Sequence, residues 1–557
     1  MSFPTRWFRS SDRRLLILYL CCCLLHVVAV AFFFDVVIDD AYISARYAEN
    51  LVAGHGLTFN PGERVEGFSH PLFVLLIALG PWLGLSTIAV AKAIGLLASL
   101  LAIAVVFVAF RRWGTEAGGS ESAHLLVVVG LALGPALAID PAMVFWSVAG
   151  LETTLYALLI TLGAFVMARE LERDAGRIPW SGVVLGFAAL ARPEGILFFV
   201  TFVGASLLWQ RSARGLAIPD CLAGAAARVA CFVAVVAPYL AFRLLFYGAW
   251  LPNTYLAKVG GSSFLLAGVG YLLRAFTHPF GVVMIAMMVY AMVRFARSRR
   301  SPLVLLTGFG VVAQASFVLW SGGDWMPSSR FVVPVLPLLA VSAMVGLNDV
   351  SARSAARLPT LAVAALVCSA ALVVTQGGRL TAAYGDHYWR TAHGLDTRLM
   401  LGRWMANHLP RDTVVAYGDM GALPYASGLV FIDLNGLTDA VVGRLAHDTR
   451  RGHSKPDERR DQEVSYLLLR DPDLVIVVTG DDASEAGWRA IGYGARLLDE
   501  PRFHEAYERA GTMLAYPPGK VARWPDGRSL VVYRRRGRAF PGLREALDTI
   551  SMRVASR

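Results

Sequence analysis

The chain has 557 residues, of which 56% are hydrophobic and only 17% charged, with a mean hydropathy of +0.53. A soluble fold of that length cannot bury so much apolar surface, so a polytopic membrane protein is implied and a water-soluble enzyme excluded. In that class a formal charge of +11 reports basic cytoplasmic loops and contact with membrane lipids, and no nucleic acid partner is expected.

Four arginines, Arg6, Arg9, Arg13 and Arg14, precede an apolar run from Leu15 to Phe34. The run is long enough to cross a bilayer and lacks a small-residue cleavage site, so it reads as an uncleaved first helix. Cys21, Cys22 and Cys23 lie within it as small apolar filler. Cys221, Cys231 and Cys368 also sit in apolar runs, and no zinc spacing or disulfide framework is present. Arg13 and Arg14 place the N-terminus in the cytoplasm, so Asp39 and Asp40 emerge outside. The next apolar piece, Pro71 to Leu85, is short and broken by Gly80-Pro81. Were it to cross, Arg111-Arg112 would end up outside, so it is read as lying along the outer interface. The expected crossings then run Ile88 to Phe110, His124 to Ile139, Leu151 to Ala168, Trp180 to Leu190, Ile196 to Trp209, Ala223 to Phe246, Pro279 to Val293, Leu303 to Trp320, Phe331 to Leu347 and Leu358 to Thr375. With the first helix this makes a polytopic α-helical membrane protein with about 11 transmembrane helices.

From about residue 376 the composition changes. Apolar runs shorten to strand length at Thr413 to Tyr417, Val430 to Asp433, Leu474 to Thr479 and Ser529 to Tyr533, with helical patterns such as Asp396 to His408 and Asp461 to Leu469 between them. Residues 1–375 are therefore read as the transmembrane domain and 376–557 as a C-terminal extracytoplasmic α/β domain. The Gly418-Asp419-Met420-Gly421 turn after a strand has the look of a phosphate or nucleotide loop, on weak evidence.

The polar motifs of the membrane half fall, on this topology, at the outer rim: Asp39-Asp40, Glu63 to His70, Trp146 to Thr153, Arg192-Pro193-Glu194, Phe246 to Lys258 and Gly322 to Arg330. A channel would place ionisable groups along its spans and a transporter near the midplane. Ionisable groups gathered at one rim suit an enzyme acting on a lipid-linked substrate. A sugar carried on a polyprenyl phosphate has phosphate as its leaving group. Its transfer needs a carboxylate base for the acceptor hydroxyl, cations around the phosphate, and polar and aromatic groups to orient two sugars. Asp40 or Asp39 is the base candidate. Arg192, Lys258, Arg330 and His70 are candidates for the donor phosphate. Glu66, Glu152, Glu194, Asn253, Tyr255, Asp324, Trp325 and Trp146 are candidates for binding substrate. Each has a plainer alternative. Asp39 could cap the helix that follows it and Glu152 a later one. Arg192 and Glu194 could form a structural ion pair, Lys258 could snorkel, and Trp146, Trp250 and Trp325 could be interfacial belt aromatics. His70 could open an interfacial helix, Asp324 a turn, and Tyr42 could serve packing. A divalent ion could bridge Asp39 or Asp40 to the donor phosphate, but two adjacent carboxylates are too few ligands to argue for one, so no cofactor is assigned from the sequence.

The block from Asp39 to Gly67 reads Asp-Asp-Ala-Tyr-Ile-Ser-Ala-Arg-Tyr-Ala, then Gly-His-Gly-Leu-Thr-Phe-Asn-Pro-Gly-Glu-Arg-Val-Glu-Gly. Joined by Leu151-Glu152-Thr153, Ala191 to Gly195, Leu251 to Tyr255 and Gly322-Gly323-Asp324, it resembles the GT-C class of polytopic glycosyltransferases, and most of all the terminal arabinofuranosyltransferases of the actinobacterial cell wall. The resemblance implies inverting transfer of arabinofuranose from decaprenyl-phosphoryl arabinose to an arabinan, a cell-envelope glycan acceptor, outside the cytoplasmic membrane. It maps the base onto Asp39 and Asp40, with Asp40 slightly favoured. A relative using another sugar or a protein acceptor, a glycolipid transporter or flippase, and a scaffold displaying the external domain are the alternatives.

Overall fold

The computed structural model describes residues 10–114, 122–172, 178–258, 265–298, 301–324, 326–353, 358–450, 453–479, 497–516 and 528–555. Among these, eight helices are long and apolar enough to cross a bilayer, and counting each of two bent pairs as one span brings the number to ten. The protein is thus a multi-pass membrane protein with a small C-terminal sheet. The expected crossing at Trp180 to Leu190 is a helix of 12 residues, Trp180–Ala191. At 1.5 Å per residue it is about 18 Å long, short of the ~30 Å hydrocarbon core.

Two further expectations are redrawn at helix breaks. The span expected at His124 to Ile139 continues past a 51° bend into Pro141–Val148. Asp140 caps this second piece, its carboxylate accepting from Ala142 N at 3.0 Å and Met143 N at 3.4 Å. The span expected at Pro279 to Val293 is preceded by a helix that the sequence reading left uncounted, Leu265–Phe276, turned 103° from it. Pro279 begins the second member of that pair, where a proline's missing N–H costs nothing. Pro71 to Leu85 folds as two short helices, Pro71–Ile77 and Leu79–Trp82.

The chain divides into two compact units. One comprises Met1–Phe34, Ala91–Leu240 and Ser263–Tyr384; the other comprises Asp35–Val90, Ala241–Ser262 and Gly385–Arg557. The boundary expected at 375/376 falls inside the helix Leu358–His408, and the second unit gathers residues 35–90 and 241–262 with the C-terminal residues.

In the first unit helices pack through small residues. A Cβ on Gly95 would stand 2.3 Å from the carbonyl oxygen of Ser147, and one on Gly346 2.3 Å from that of Met287. Such backbone-to-backbone approach is how helices associate where lipid removes the hydrophobic drive. His26, fully buried, ties three segments together through Ala138 O at 2.6 Å and the hydroxyls of Ser99 at 2.8 Å and Ser147 at 3.2 Å.

In the second unit β1 (Val414–Tyr417), β2 (Val430–Asp433) and β3 (Leu474–Thr479) run parallel, while β5 (Arg528–Arg535) lies antiparallel to β3 and to β4 (Tyr507–Tyr516). The order across the sheet is β2-β1-β3-β5-β4. Its core is built from Ala416, Ile432, Val475, Val477 and Val531 against Val464, Leu467 and Phe503. The segment of residues 35–90 is stitched to this sheet by polar side chains. Asn60 behaves as an extra strand edge, its amide donating to Phe431 O at 2.7 Å and its carbonyl accepting from Phe431 N at 3.1 Å. Buried Arg46 donates to the carbonyls of Phe59, Pro424 and Leu429 at 2.6 to 2.8 Å.

The helix contact at Gly95 is directly testable. Gly95→Ala is expected to lower the thermal unfolding midpoint of the detergent-solubilised protein, at a cost of about 1–3 kcal/mol for overpacking. Gly204→Ala, where a Cβ meets nothing within 4 Å, should leave the midpoint unchanged or slightly raised.

Candidate active site

Ile38 is extended, with φ −85° and ψ 140°, and the helix Asp39–Val52 begins immediately after it. Asp39 and Asp40 therefore occupy its first turn, where the helix dipole favours negative charge. Asp39 does not cap this helix with its side chain. Its carboxylate instead accepts from the backbone N–H of Gly421 and of Ala422, each at 3.0 Å. A Cβ at Gly421 would lie 2.1 Å from the Asp39 carbonyl oxygen and 2.3 Å from Oδ2, so only glycine admits this approach. The glycine turn after β1 is thus an anion-binding turn, and the anion it holds is a carboxylate of the same chain rather than a nucleotide phosphate.

Charged and hydroxyl groups line the same turn. Arg398 donates through Nε to the buried hydroxyl of Tyr417 at 3.0 Å and pairs with Asp419. Burial is the largest influence on Asp39 and pushes its carboxyl up; Arg398 opposes this, Asp419 and Asp40 add to it, and the carboxyl is raised to about 7. Asp40, the next residue of the same first turn, adds its own charge to the field at Asp39. Tyr42 is buried and packs on Tyr425, ring centroids 5.0 Å apart.

Other candidates in this unit are engaged by protein groups. Glu66 forms a two-pronged pair with Arg243, at 2.6 and 3.0 Å. Asn253 donates to the carbonyls of Gly436, Leu437 and Asp439 at 2.8 to 3.1 Å. It pins the loop after β2, whose other anchor is Asp433, held by Asn435 N and Thr438 N at 2.8 Å each. Burial pushes the Asp433 carboxyl up to about 6. His70 sits 2.7 Å from the Ser44 hydroxyl through Nε2, directly before the helix Pro71–Ile77. The Tyr255 ring lies 6.3 Å from that of His447. The side chain of Lys258 and the whole of Trp325 lie outside the described residues.

The remaining candidates meet in the first unit. Glu152, 1% exposed, accepts through Oε1 from Arg192 at 2.8 Å and from Arg330 at 2.6 Å. Arg192 also grips Glu194 with two N–H groups, at 2.8 and 3.3 Å. Arg330 reaches the Thr153 hydroxyl at 3.2 Å and lies over the Trp146 ring at 5.3 Å. Trp146 is fully buried, its indole N–H on Ser328 O at 3.2 Å, which sets aside the belt reading. Glu152 makes no capping bond to its helix. Asp324 accepts from Met326 N at 3.1 Å in a local turn and stands 3.9 Å from Arg330. The two arginines thus arrive with carboxylates already beside them. Among the described residues no group of three or more His, Cys, Asp or Glu could hold a metal ion.

Sequence reasoning did not find Arg398, Tyr417, Arg243 or Gly421's partner. The only visible signal was the glycine turn itself, placed directly after a strand.

Comparison with known proteins follows this geometry. A domain of unknown function, DUF8728, matches residues 385–533. The chain is 28% identical over 340 residues to the terminal β-(1→2)-arabinofuranosyltransferase of Mycobacterium tuberculosis, a match taking 55% of this chain and 51% of that protein. The chain therefore spans about half the length of this curated relative. The crystal structure of ArnT from Cupriavidus metallidurans bound to undecaprenyl phosphate superposes with a TM-score of 0.56 at 15% identity, over 93% of this chain and 97% of that one. The Archaeoglobus fulgidus oligosaccharyltransferase AglB, solved with an inhibitory peptide and a dolichol-phosphate, gives 0.52 at 13% identity, over 83% and 69%. The chain has a GT-C fold. In sequence it resembles a terminal arabinofuranosyltransferase.

Within this GT-C fold the Asp39 carboxylate fastens the glycine turn to the start of its helix. The Glu66–Arg243 pair fastens the same unit from a second point. Removing one partner of a buried pair strands the other charge, at a cost of about 3–5 kcal/mol. Arg243→Ala is therefore expected to lower the unfolding midpoint sharply, and Glu66→Leu combined with Arg243→Leu to recover much of the loss. Calorimetry on the detergent-solubilised variants measures both.

Proposed function

We propose that this chain is a polyprenyl-phosphate-sugar-dependent glycosyltransferase of the cytoplasmic membrane, acting at its outer face with the N-terminus inside. In this reading it moves a sugar, arabinofuranose from a decaprenyl-phosphoryl arabinose type of donor, to a glycan of the cell envelope. The observation that carries the reading is the Asp39-Asp40 pair in the first turn of its helix, with Asp39 clamped by two backbone amides, in a GT-C fold. The sequence match to an arabinofuranosyltransferase supports the sugar. The undecaprenyl phosphate in the ArnT structure supports a prenyl-phosphate carrier.

The step is a displacement at the anomeric carbon. Asp40 takes the proton of the acceptor hydroxyl. The freed oxygen forms the new bond to the anomeric carbon from the side opposite the phosphate. The carbon–oxygen bond to phosphate breaks, its electron pair leaves with polyprenyl phosphate, and the configuration inverts. For the departing phosphate the proposed partners are His70 and Lys258. Arg192 and Arg330 keep the same candidacy, although Glu152 and Glu194 already balance their charge. Glu66 and Asn253 serve, in this reading, by shaping the unit that carries Asp40, with Tyr255 beside them.

The test is incubation of the purified protein with decaprenyl-phosphoryl arabinose and an arabinan fragment. Donor consumption with formation of a glycosidic bond is expected, and Asp40→Asn should reduce it by about 10²–10⁴-fold, the range for loss of a general base, without changing the unfolding midpoint. Full transfer by Asp40→Asn would contradict the assignment. Movement of the lipid without a new glycosidic bond would favour a flippase.

A further inference from the structure

Two carboxylates and one guanidinium meet at the turn after β1, Asp39 from the start of its helix, Asp419 from the turn itself and Arg398 from the helix Leu358–His408, and Asp40 follows Asp39 directly in the chain. Gathering like charges costs stability, and a turn that merely had to be fastened would not need Asp419. The amides of Gly421 and Ala422 already satisfy Asp39. Asp419 is only half-buried, its side chain 37% exposed, whereas the Arg398 side chain it pairs with is 8% exposed and fixed on the Tyr417 hydroxyl. The arrangement is a buried cation held by the Tyr417 hydroxyl of β1 and paired with a carboxylate of the same turn whose amides hold Asp39. Carboxylates crowded at such a place are characteristic of groups whose protonation matters to chemistry.

We propose that Asp419 and Arg398 are positioning residues that set the charge of Asp39, and through it the basicity of Asp40, so that the loop after β1 belongs to the transfer machinery rather than to a separate acceptor-binding module. The proposal rests on the glycosyltransferase reading for its kinetic consequences only. Ionised Asp39 accepts both backbone N–H groups, and its negative charge makes its neighbour Asp40 the stronger base. The groups facing Asp39 are Arg398 from the long helix, Asp419 and the two amides from the turn, Tyr417 from β1, and Asp40 and Tyr42 from its own helix. Of these, Arg398 alone favours the charged form by its own charge; Asp419 and Asp40 oppose it.

The two members of the Arg398–Asp419 pair therefore act in opposite directions, which a fastening role would not produce. Because Asp40 is the stronger base only while Asp39 is ionised, the acidic limb of kcat/KM follows the ionisation of Asp39, and Asp419→Asn is expected to move it down by about 1 unit and Arg398→Gln to move it up by about 1 unit. Arg398→Lys, which keeps the charge, should return the limb close to its original position. Difference infrared spectroscopy reads the same quantity without transfer. The carboxyl band that disappears in Asp39→Asn should titrate near neutral pH in the parent protein and shift in opposite senses in Asp419→Asn and Arg398→Gln. Should Arg398→Gln fail to fold, Asp419→Asn decides alone, because that side chain reaches solvent. Equal losses of rate with the limb unmoved, or an Asp39 band that titrates identically in parent and Asp419→Asn, would overturn the proposal. A parent protein that transfers no sugar yet shows the opposed infrared shifts would sink the glycosyltransferase reading and leave the coupling standing.

Discussion

One carboxylate on two backbone amides organises the second unit. Asp39 accepts from Gly421 and Ala422 across a sequence separation of 382 and 383 residues, and the site next to it depends on where that grip places the helix start. A hydrogen bond to a charged group contributes about 1.5–3 kcal/mol, and two of them fix both position and angle. Gly421 makes the grip possible by having no side chain. Around it, Asn60 mimics a strand edge, Arg46 collects three carbonyls, and Asn253 collects three more. Residues 35–90 and the C-terminal sheet share polar partners to such a degree that they form one unit.

The membrane body uses a different economy. Its helices approach through glycines, and its charges occur as neutralised clusters at helix junctions: Glu152 with Arg192 and Arg330, and Asp140 with Gln376 and Arg379. Charge inside a low-dielectric body persists only when paired. That is why arginines conspicuous in the sequence are found beside carboxylates.

What the sequence made legible follows from the range of each force. Apolar runs of bilayer length located most of the spans, and three strands were placed nearly residue for residue, because both signals are local. The missed elements failed for local reasons too. Leu265–Phe276 is too short to stand out as a span, and β4 opens with Glu508, Arg509, Ala510 and Gly511, which interrupt any apolar run, so its pattern is weak. The partnerships of the candidate site were not legible. Glu66 and Asn253 looked like substrate ligands because polar residues in a motif invite that reading, and nothing nearby in the chain announces Arg243 or the loop after β2. The Gly418 to Gly421 turn was recognised as a place for an anion; that the anion is Asp39 required the fold.

The most direct test of this organisation is hydrogen exchange at the turn itself. Peptides covering residues 418–426 should exchange slowly in the parent protein, because Gly421 and Ala422 donate to Asp39. In Asp39→Ala the amides of those two residues should exchange at least tenfold faster, while the β3–β5 ladder stays protected. Unchanged protection of the turn in Asp39→Ala would show that the carboxylate does not hold it, and the account would fall at its central contact.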